Sequence, residues 1–278
     1  PVVQEVVRML TEQKYKDLEF VEFMDVKVNA VVYEEVYDLI KTVISNGHKQ
    51  YICLTDVENA VSATKDKQLK AAINSSLLSL ADGAPLAYFA RLAGYRRTER
   101  ISGVRLMELL FAEKDGFSHY ILGDTDQTID KVISKARKHN EGISITGHSP
   151  PFRDFTDEDN CDMVEKIAKA NPDIIWVCFG GRKQEKWMKN NIDNIDKGIM
   201  IGVGAALRWY TGDIKVPPEI FQKLCLQWFY RLVSELINEP RKGTKQFLER
   251  ILPIFPVFIM NFPNQLASAR RQYKKRKY

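Results

Sequence analysis

The sequence has few of the features that announce a chemistry at once. Its four cysteines (Cys53, Cys161, Cys178, Cys225) are scattered and form no CxxC pair. That spacing excludes a zinc ribbon and a thioredoxin-like redox motif. The four histidines (His48, His119, His139, His148) form no HxxxH pair, so a helical zinc site of that type is excluded. No apolar run approaches the roughly 18 residues of a membrane-spanning helix. The opening PVVQEVVRML carries no signal-peptide pattern. No GxGxxG follows the first predicted strand of the α/β pattern. TDVENA (Thr55 to Ala60) stands there instead, against a Rossmann oxidoreductase.

What is present is an ordinary globular composition. Of 278 residues, 45% are hydrophobic and 28% charged, enough for a sizeable core in one large domain or two small ones. Three of the cysteines lie in apolar runs, which reads as buried thiols in a reducing compartment. The net charge of +5 is unevenly placed. The last nine residues, RRQYKKRKY, hold six cations and no acid, and the rest of the chain is close to neutral. Such a tail suits an anionic membrane surface or a nucleic acid, and equally a solvated, disordered end. The chain has no aromatic-studded basic face and no nucleic-acid motif, so no nucleic-acid partner is expected.

Residues 1–24 read as an amphipathic helix, and residues 28–47 as a second helix ending at Asn46-Gly47. Beyond them, apolar runs alternate with helical stretches. QYICLT, LLSLA, SHYILG, GISITG, DIIWVC and GIMIGVGA read as strands. Residues 58–76, 127–139, 157–171 and a stretch opening at Gln184 read as helices. Spacing near 30 residues is the pattern of βαβ units. The expected fold is α/β: a Rossmann-like, mostly parallel sheet flanked by helices. The α/β domain is expected over residues 1–214. Residues 215–278 form a C-terminal helical appendage with an amphipathic segment and the basic tail. Within it ILPIFPVFIM (Ile251 to Met260) is too short and too proline-broken to span a bilayer. It either lies in a bilayer interface or packs on the α/β body. Lacking an obvious partner, residues 243–278 are expected to be mobile in solution.

Ligands of parallel sheets bind at the carboxyl ends of the strands. Those ends carry Thr55-Asp56, Asp82-Gly83, Gly123 to Asp126, Gly147 to Ser149 and Gly180 to Glu185. The last, FGGRKQE, has more cations and amides than a connecting turn needs. Arg182 or Lys183 is suited to a phosphate. Glu185 suits either a ligand contact or the positive end of the following helix. Gly202-Val203-Gly204 permits close backbone approach to a nucleotide. Asp82, at a strand end, suits a general base, or simply an Asp-Gly turn. Asp124-Thr125-Asp126 has the DxD form of a metal-dependent transferase, but between strand and helix Asp126 reads as an N-cap.

ADGAPLAYFARLAG (Ala81 to Gly94), ERISGVRLMELL (Glu99 to Leu110), SPPFR (Ser149 to Arg153), GGRKQEKWM (Gly180 to Met188), GVGAALRWYTGDIKVPP (Gly202 to Pro218) and LQWFYRLVSE…EPRK (Leu226 to Lys242) follow one another in a specific order. In that ordered set, from Val28 to Lys242, the chain resembles bacterial glycosyltransferase family 26. That family makes teichoic acid, enterobacterial common antigen and exopolysaccharide. The resemblance implies a hexosyltransferase with inverting chemistry. A sugar would move from a UDP-sugar to a polyprenyl-diphosphate-linked acceptor, without an obligatory metal or other cofactor. It implies a peripheral protein at the cytoplasmic face of the bacterial membrane, docked on anionic lipid through its C-terminal segment, with oligomerisation left open. By the same resemblance Asp82 is the base and Gln184 positions substrate. Thr55, Asp56, Gly83, Arg182, Lys183, Glu185, Gly202 and Gly204 line the substrate site. Arg231 and Arg241 match basic positions that face diphosphate or lipid headgroups, or are ordinary surface charge. The chain departs from the family pattern at Asp56 (asparagine expected), Arg182 (proline), Leu207-Arg208 (Phe-Asp), Val216-Pro217-Pro218 and Gln227 (glutamate). These departures keep open a nucleotide-sugar-binding member without turnover.

Overall fold

The computed structural model describes residues 18–114, 116–180, 182–215 and 252–277, together with isolated positions between 217 and 249. Residues 20–29 do not continue an N-terminal helix. Phe20–Phe23 (β1) and Val26–Asn29 (β2) pair as an antiparallel hairpin. The expected helix is therefore corrected over its last residues, while residues 1–17 lie outside the described residues. The physical reason is a period of two: Val21, Phe23, Val26 and Val28 are buried while Lys27 is exposed. Met24 (φ 53°) and Asp25 (φ 63°) make the left-handed two-residue turn that matches strand twist. Neither is the glycine or asparagine that usually signals it.

The helix expected over residues 28–47 begins only at Tyr33, because Val28 and Asn29 pair in β2; Tyr33–Ser45 (α1) ends at Asn46 as expected. The other elements follow in alternation: Lys49–Thr55 (β3), Val57–Ala63 (α2), Lys67–Asn74 (α3), Leu78–Ala81 (β4), Ala84–Ala93 (α4) and Gly103–Phe111 (α5). Next come Ser118–Gly123 (β5), Asp126–His139 (α6), Ser144–His148 (β6), Asp157–Ala170 (α7), Ile174–Cys178 (β7), Lys183–Asn191 (α8), Gly198–Gly202 (β8) and Ala206–Thr211 (α9). All six expected strands are present. The helix expected over 58–76 is split, because Asp66 caps a second helix by accepting the Leu69 N–H at 3.0 Å.

The six strands form one parallel sheet in the order β4-β3-β8-β7-β5-β6. β7 and β8 are buried along their whole length, as continuous apolar runs at the centre of a parallel sheet should be. Alternate residues serve opposite faces. Trp176 packs with Ile52, Ile201 and Phe111 on one side. Ile175 and Val177 pack with Tyr51, Met163 and Met200 on the other. Cys53 and Cys178 are buried, whereas Cys161 on α7 is exposed.

Leu252–Lys277 (α10) lies against the hairpin and α4. The Phe258 ring lies tilted against Phe23 (centroids 5.6 Å), and Phe262 meets Phe89 edge-on (5.4 Å). The apolar run thus has a partner, which corrects the expectation that it lacks one. Part of the basic end is also committed. Arg270 Nε donates to Leu92 O at 2.9 Å, and Arg276 Nη1 donates to Phe20 O at 2.8 Å. The Arg276 guanidinium also lies over the Phe20 ring, 4.2 Å from its centroid. Gly94, at φ 121°, leaves room for Tyr273: a Cβ there would sit 2.6 Å from the ring. The outward face of α10 is different, with Leu252, Phe255, Ile259 and Met260 exposed. Among the described residues no helix is long and apolar enough to cross a membrane.

Candidate active site

Because the strands are parallel, their carboxyl ends share one rim. Four adjacent strands, β4, β3, β8 and β7, deliver the predicted residues there. Backbone bonds knit the first two ends together. Asp82 N–H donates to Thr55 O at 2.9 Å, and Ile101 N–H donates to Ala81 O at 2.9 Å. The second bond lays the loop before α5 along the end of β4 and brings Arg100 into the field of Asp82. Gly83 (φ 108°) then turns the chain into α4.

Asp82 and Asp56 differ in what they are free to do. Burial pushes the Asp82 carboxyl up to about 6, opposed by the Arg100 charge. Burial also raises Asp56, to about 7; the Asn59 N–H opposes this, while the charges of Glu58, Asp82 and Glu185 add to it. One oxygen of Asp56 is already committed, accepting the Asn59 N–H at 2.8 Å as the N-cap of α2. Thr55 is fully buried, its hydroxyl 2.8 Å from that of Ser79. Arg100 carries a buried Nε without a hydrogen-bond partner among the described residues. The Tyr33 hydroxyl accepts the Ser102 N–H at 2.7 Å, and its phenol is raised by burial in the field of Arg100 and Asp82.

At the other two strand ends, the first turn of α8 faces the glycines after β8. Gln184 Oε1 accepts the Gly204 N–H at 3.0 Å. Its Nε2 donates to Glu185 Oε1, also at 3.0 Å. A Cβ on Gly202 would meet the Met188 methyl at 2.8 Å and the Gln184 amide nitrogen at 3.1 Å, so the glycine gives both side chains room. Glu185 is buried, and its carboxyl is raised, chiefly by that burial. Arg182 sits in the left-handed region (φ 67°), which a proline ring cannot adopt. Arg182 Nη1 donates to Ser62 Oγ at 2.9 Å, and Lys183 pairs with Asp154. Arg231 and Arg241 lie outside the described residues.

Further along the rim, beyond β5 and β6, is an open cleft of about 840 Å³. Asp124, Thr125, His148, Ser149, Phe152 and Arg208 are among its lining residues, and Phe152 is fully exposed. The helix cap here is Thr125, accepting the Thr128 N–H, not Asp126 as the sequence suggested. Asp124 is taken by the guanidinium of Arg208, with bonds of 2.9 Å from both Nε and Nη2. That bond holds the Asp124 carboxyl below the usual range. Among the described residues no three His, Cys, Asp or Glu side chains are placed to hold a metal.

The sequence reading missed Arg100 and Tyr33. Arg100 lay inside the quoted ERISGVRLMELL, but an arginine in a loop carries no motif. Only the bond between Ile101 and Ala81 shows where it goes.

A model of the glycosyl transferase WecG/TagA/CpsF family matches residues 21–271. The N-acetylglucosaminyldiphosphoundecaprenol N-acetyl-beta-D-mannosaminyltransferase of Bacillus subtilis is 31% identical over 184 residues, 66% of this chain and 70% of that protein. Its namesake from Staphylococcus aureus is 26% identical over 272 residues, 96% of this chain and 100% of that protein.

Proposed function

The chain belongs to the WecG/TagA/CpsF family of glycosyl transferases, and on that premise we propose an inverting transfer from a UDP-sugar to a polyprenyl-diphosphate-linked saccharide. A hydroxyl of the acceptor attacks the anomeric carbon of the donor. The bond from that carbon to the diphosphate oxygen breaks, and UDP leaves. The proton of the attacking hydroxyl passes to Asp82. The observation that carries this reading is the Asp82 carboxyl, raised by burial to about 6 at a strand end beside the Arg100 charge. A base with that pKa is ionised at neutral pH and still basic enough to accept a proton. Asp56 is the weaker choice, since its carboxylate already caps α2.

In this reading Arg100 and the remaining Nε2 hydrogen of Gln184 offset the charge that develops on the diphosphate. No metal is assigned to that task. Thr55, Gly83, Arg182, Lys183, Gly202 and Gly204 shape the substrate site, and the cleft beside Phe152 and Arg208 is open to the donor's nucleoside. The exposed apolar face of α10 and the cations Arg271, Lys274 and Lys275 are assigned to an anionic bilayer at the cytoplasmic face.

The test is sugar transfer by the purified protein from a panel of labelled UDP-sugars to polyprenyl-linked acceptor, with Asp82→Asn alongside. Transfer from one donor, lost in the variant, supports the reading. Transfer that survives the substitution removes Asp82 as base and turns attention to Asp56. UDP-sugar binding without any turnover would favour the silent-binder reading that the departures at Asp56, Arg182 and Arg208 leave open.

A further inference from the structure

Glu185 is an unusual residue to find in the core. It is 1% exposed, and its carboxylate has one partnered oxygen: Oε1 receives the Gln184 Nε2 hydrogen at 3.0 Å, while Oε2 has no partner among the described residues. A buried carboxylate with an orphan oxygen lowers stability. Helix α8 would gain its favourable first-turn charge equally from an exposed acid, so the macrodipole does not account for the burial.

The geometry around Gln184 does account for it. A side-chain amide can sit in two orientations that differ by a half-turn, with oxygen and nitrogen exchanged. Here the Gly204 N–H requires the oxygen on its side, and the Glu185 carboxylate requires the nitrogen on the other. Gly202 leaves the space in which the amide lies. Together the two bonds fix one orientation, and only one of the two Nε2 hydrogens is used in doing so.

We propose that Glu185 is a positioning residue. Its Oε1 locks the Gln184 amide so that the second Nε2 hydrogen is presented to the oxygen-rich substrate at the rim. The inference rests on the transfer reading above and gives Glu185 a role through Gln184, without direct contact to substrate.

The experiment uses the full chain with three substitutions. Glu185→Met keeps the length of the side chain and removes the acceptor. Glu185→Gln keeps an acceptor. Gln184→Ala removes the amide. For Glu185→Met, kcat is expected to fall about tenfold with donor KM changed less than about threefold, as for a contact made mainly in the transition state. Its melting temperature is expected to stay level or rise, because the orphan oxygen is gone. Glu185→Gln is expected to recover most of the rate. Adding Gln184→Ala to Glu185→Met is expected to cost much less than Gln184→Ala alone. A merely structural glutamate would instead show a lower melting temperature, additive losses and no dependence on an acceptor.

Wild-type rate in Glu185→Met, or additive losses with Gln184→Ala, would overturn the proposal. If the native chain transfers no sugar, the transfer reading fails, and the lock is then read by NMR. Hydrogen exchange at the Gln184 side-chain amide is expected to be slow in the native protein, fast in Glu185→Met and slow again in Glu185→Gln. Equal exchange in all three would remove the lock as well.

Discussion

Replacing Asp82 with asparagine should make the protein more stable while abolishing transfer, and the gain should depend on pH. The carboxyl is raised from the ordinary 3.8 to about 6 by burial. A shift of roughly 2 units corresponds to about 3 kcal/mol at about 1.4 kcal/mol per unit. The sign follows from linkage. A folded-state pKa above the unfolded one means that the native state holds a proton which the unfolded chain releases. Stability from this group is therefore fully present below pH 3.8 and lost as pH rises through 6. Asparagine does not titrate. The difference in unfolding free energy between Asp82→Asn and the native chain should thus grow between pH 4 and pH 8. Asp82 keeps a partly exposed surface, so solvent screening reduces the expected gain to about 1–2 kcal/mol. Urea unfolding of both proteins at the two pH values measures it. Transfer at pH 8 should fall by at least about a hundredfold if Asp82 is the base. A stability difference that is flat with pH would show that the carboxyl is not held in its raised state, and the case for a tuned base would fall with it.

Gly94→Val should place a side chain against Tyr273 at a backbone angle that valine resists, at a cost of about 3 kcal/mol. Hydrogen exchange over residues 252–277 should accelerate as α10 loosens, and unchanged protection would refute the docking account. Transfer activity is expected to persist in EDTA, because Asp124 is occupied by Arg208; a tenfold loss restored by magnesium would reverse the assignment of the DxD tripeptide. Ile259→Asp with Met260→Asp, at positions 51% and 76% exposed, should weaken co-sedimentation with anionic vesicles about tenfold. Undiminished binding would move the membrane contact away from this face of α10.

Much of the site was legible because it is written locally. Apolar runs such as IIWVC and GIMIG mark strands from consecutive residues, and a parallel sheet sends all their ends to one rim. That is enough to send Asp82, Asp56 and Gln184 to one rim. The helix expected over residues 58–76 broke at Asp66, where a local capping bond outweighed continued helical spacing. The hairpin at residues 20–29 was misread because Met24-Asp25 adopts a turn that its residue types do not advertise.

The sequence by itself determined the fold class, the rim and, through ordered motifs, the family. Tertiary structure decided what no window of residues contains: the strand order, the loop that brings Arg100 beside Asp82, the amide of Gln184 held between Gly204 and Glu185, and the seat of α10 on Phe23 and Phe89. The reason is physical. Periodicity and turn chemistry act between near neighbours in the chain, whereas hydrogen bonds and ring contacts between distant segments exist only once burial has brought those segments together.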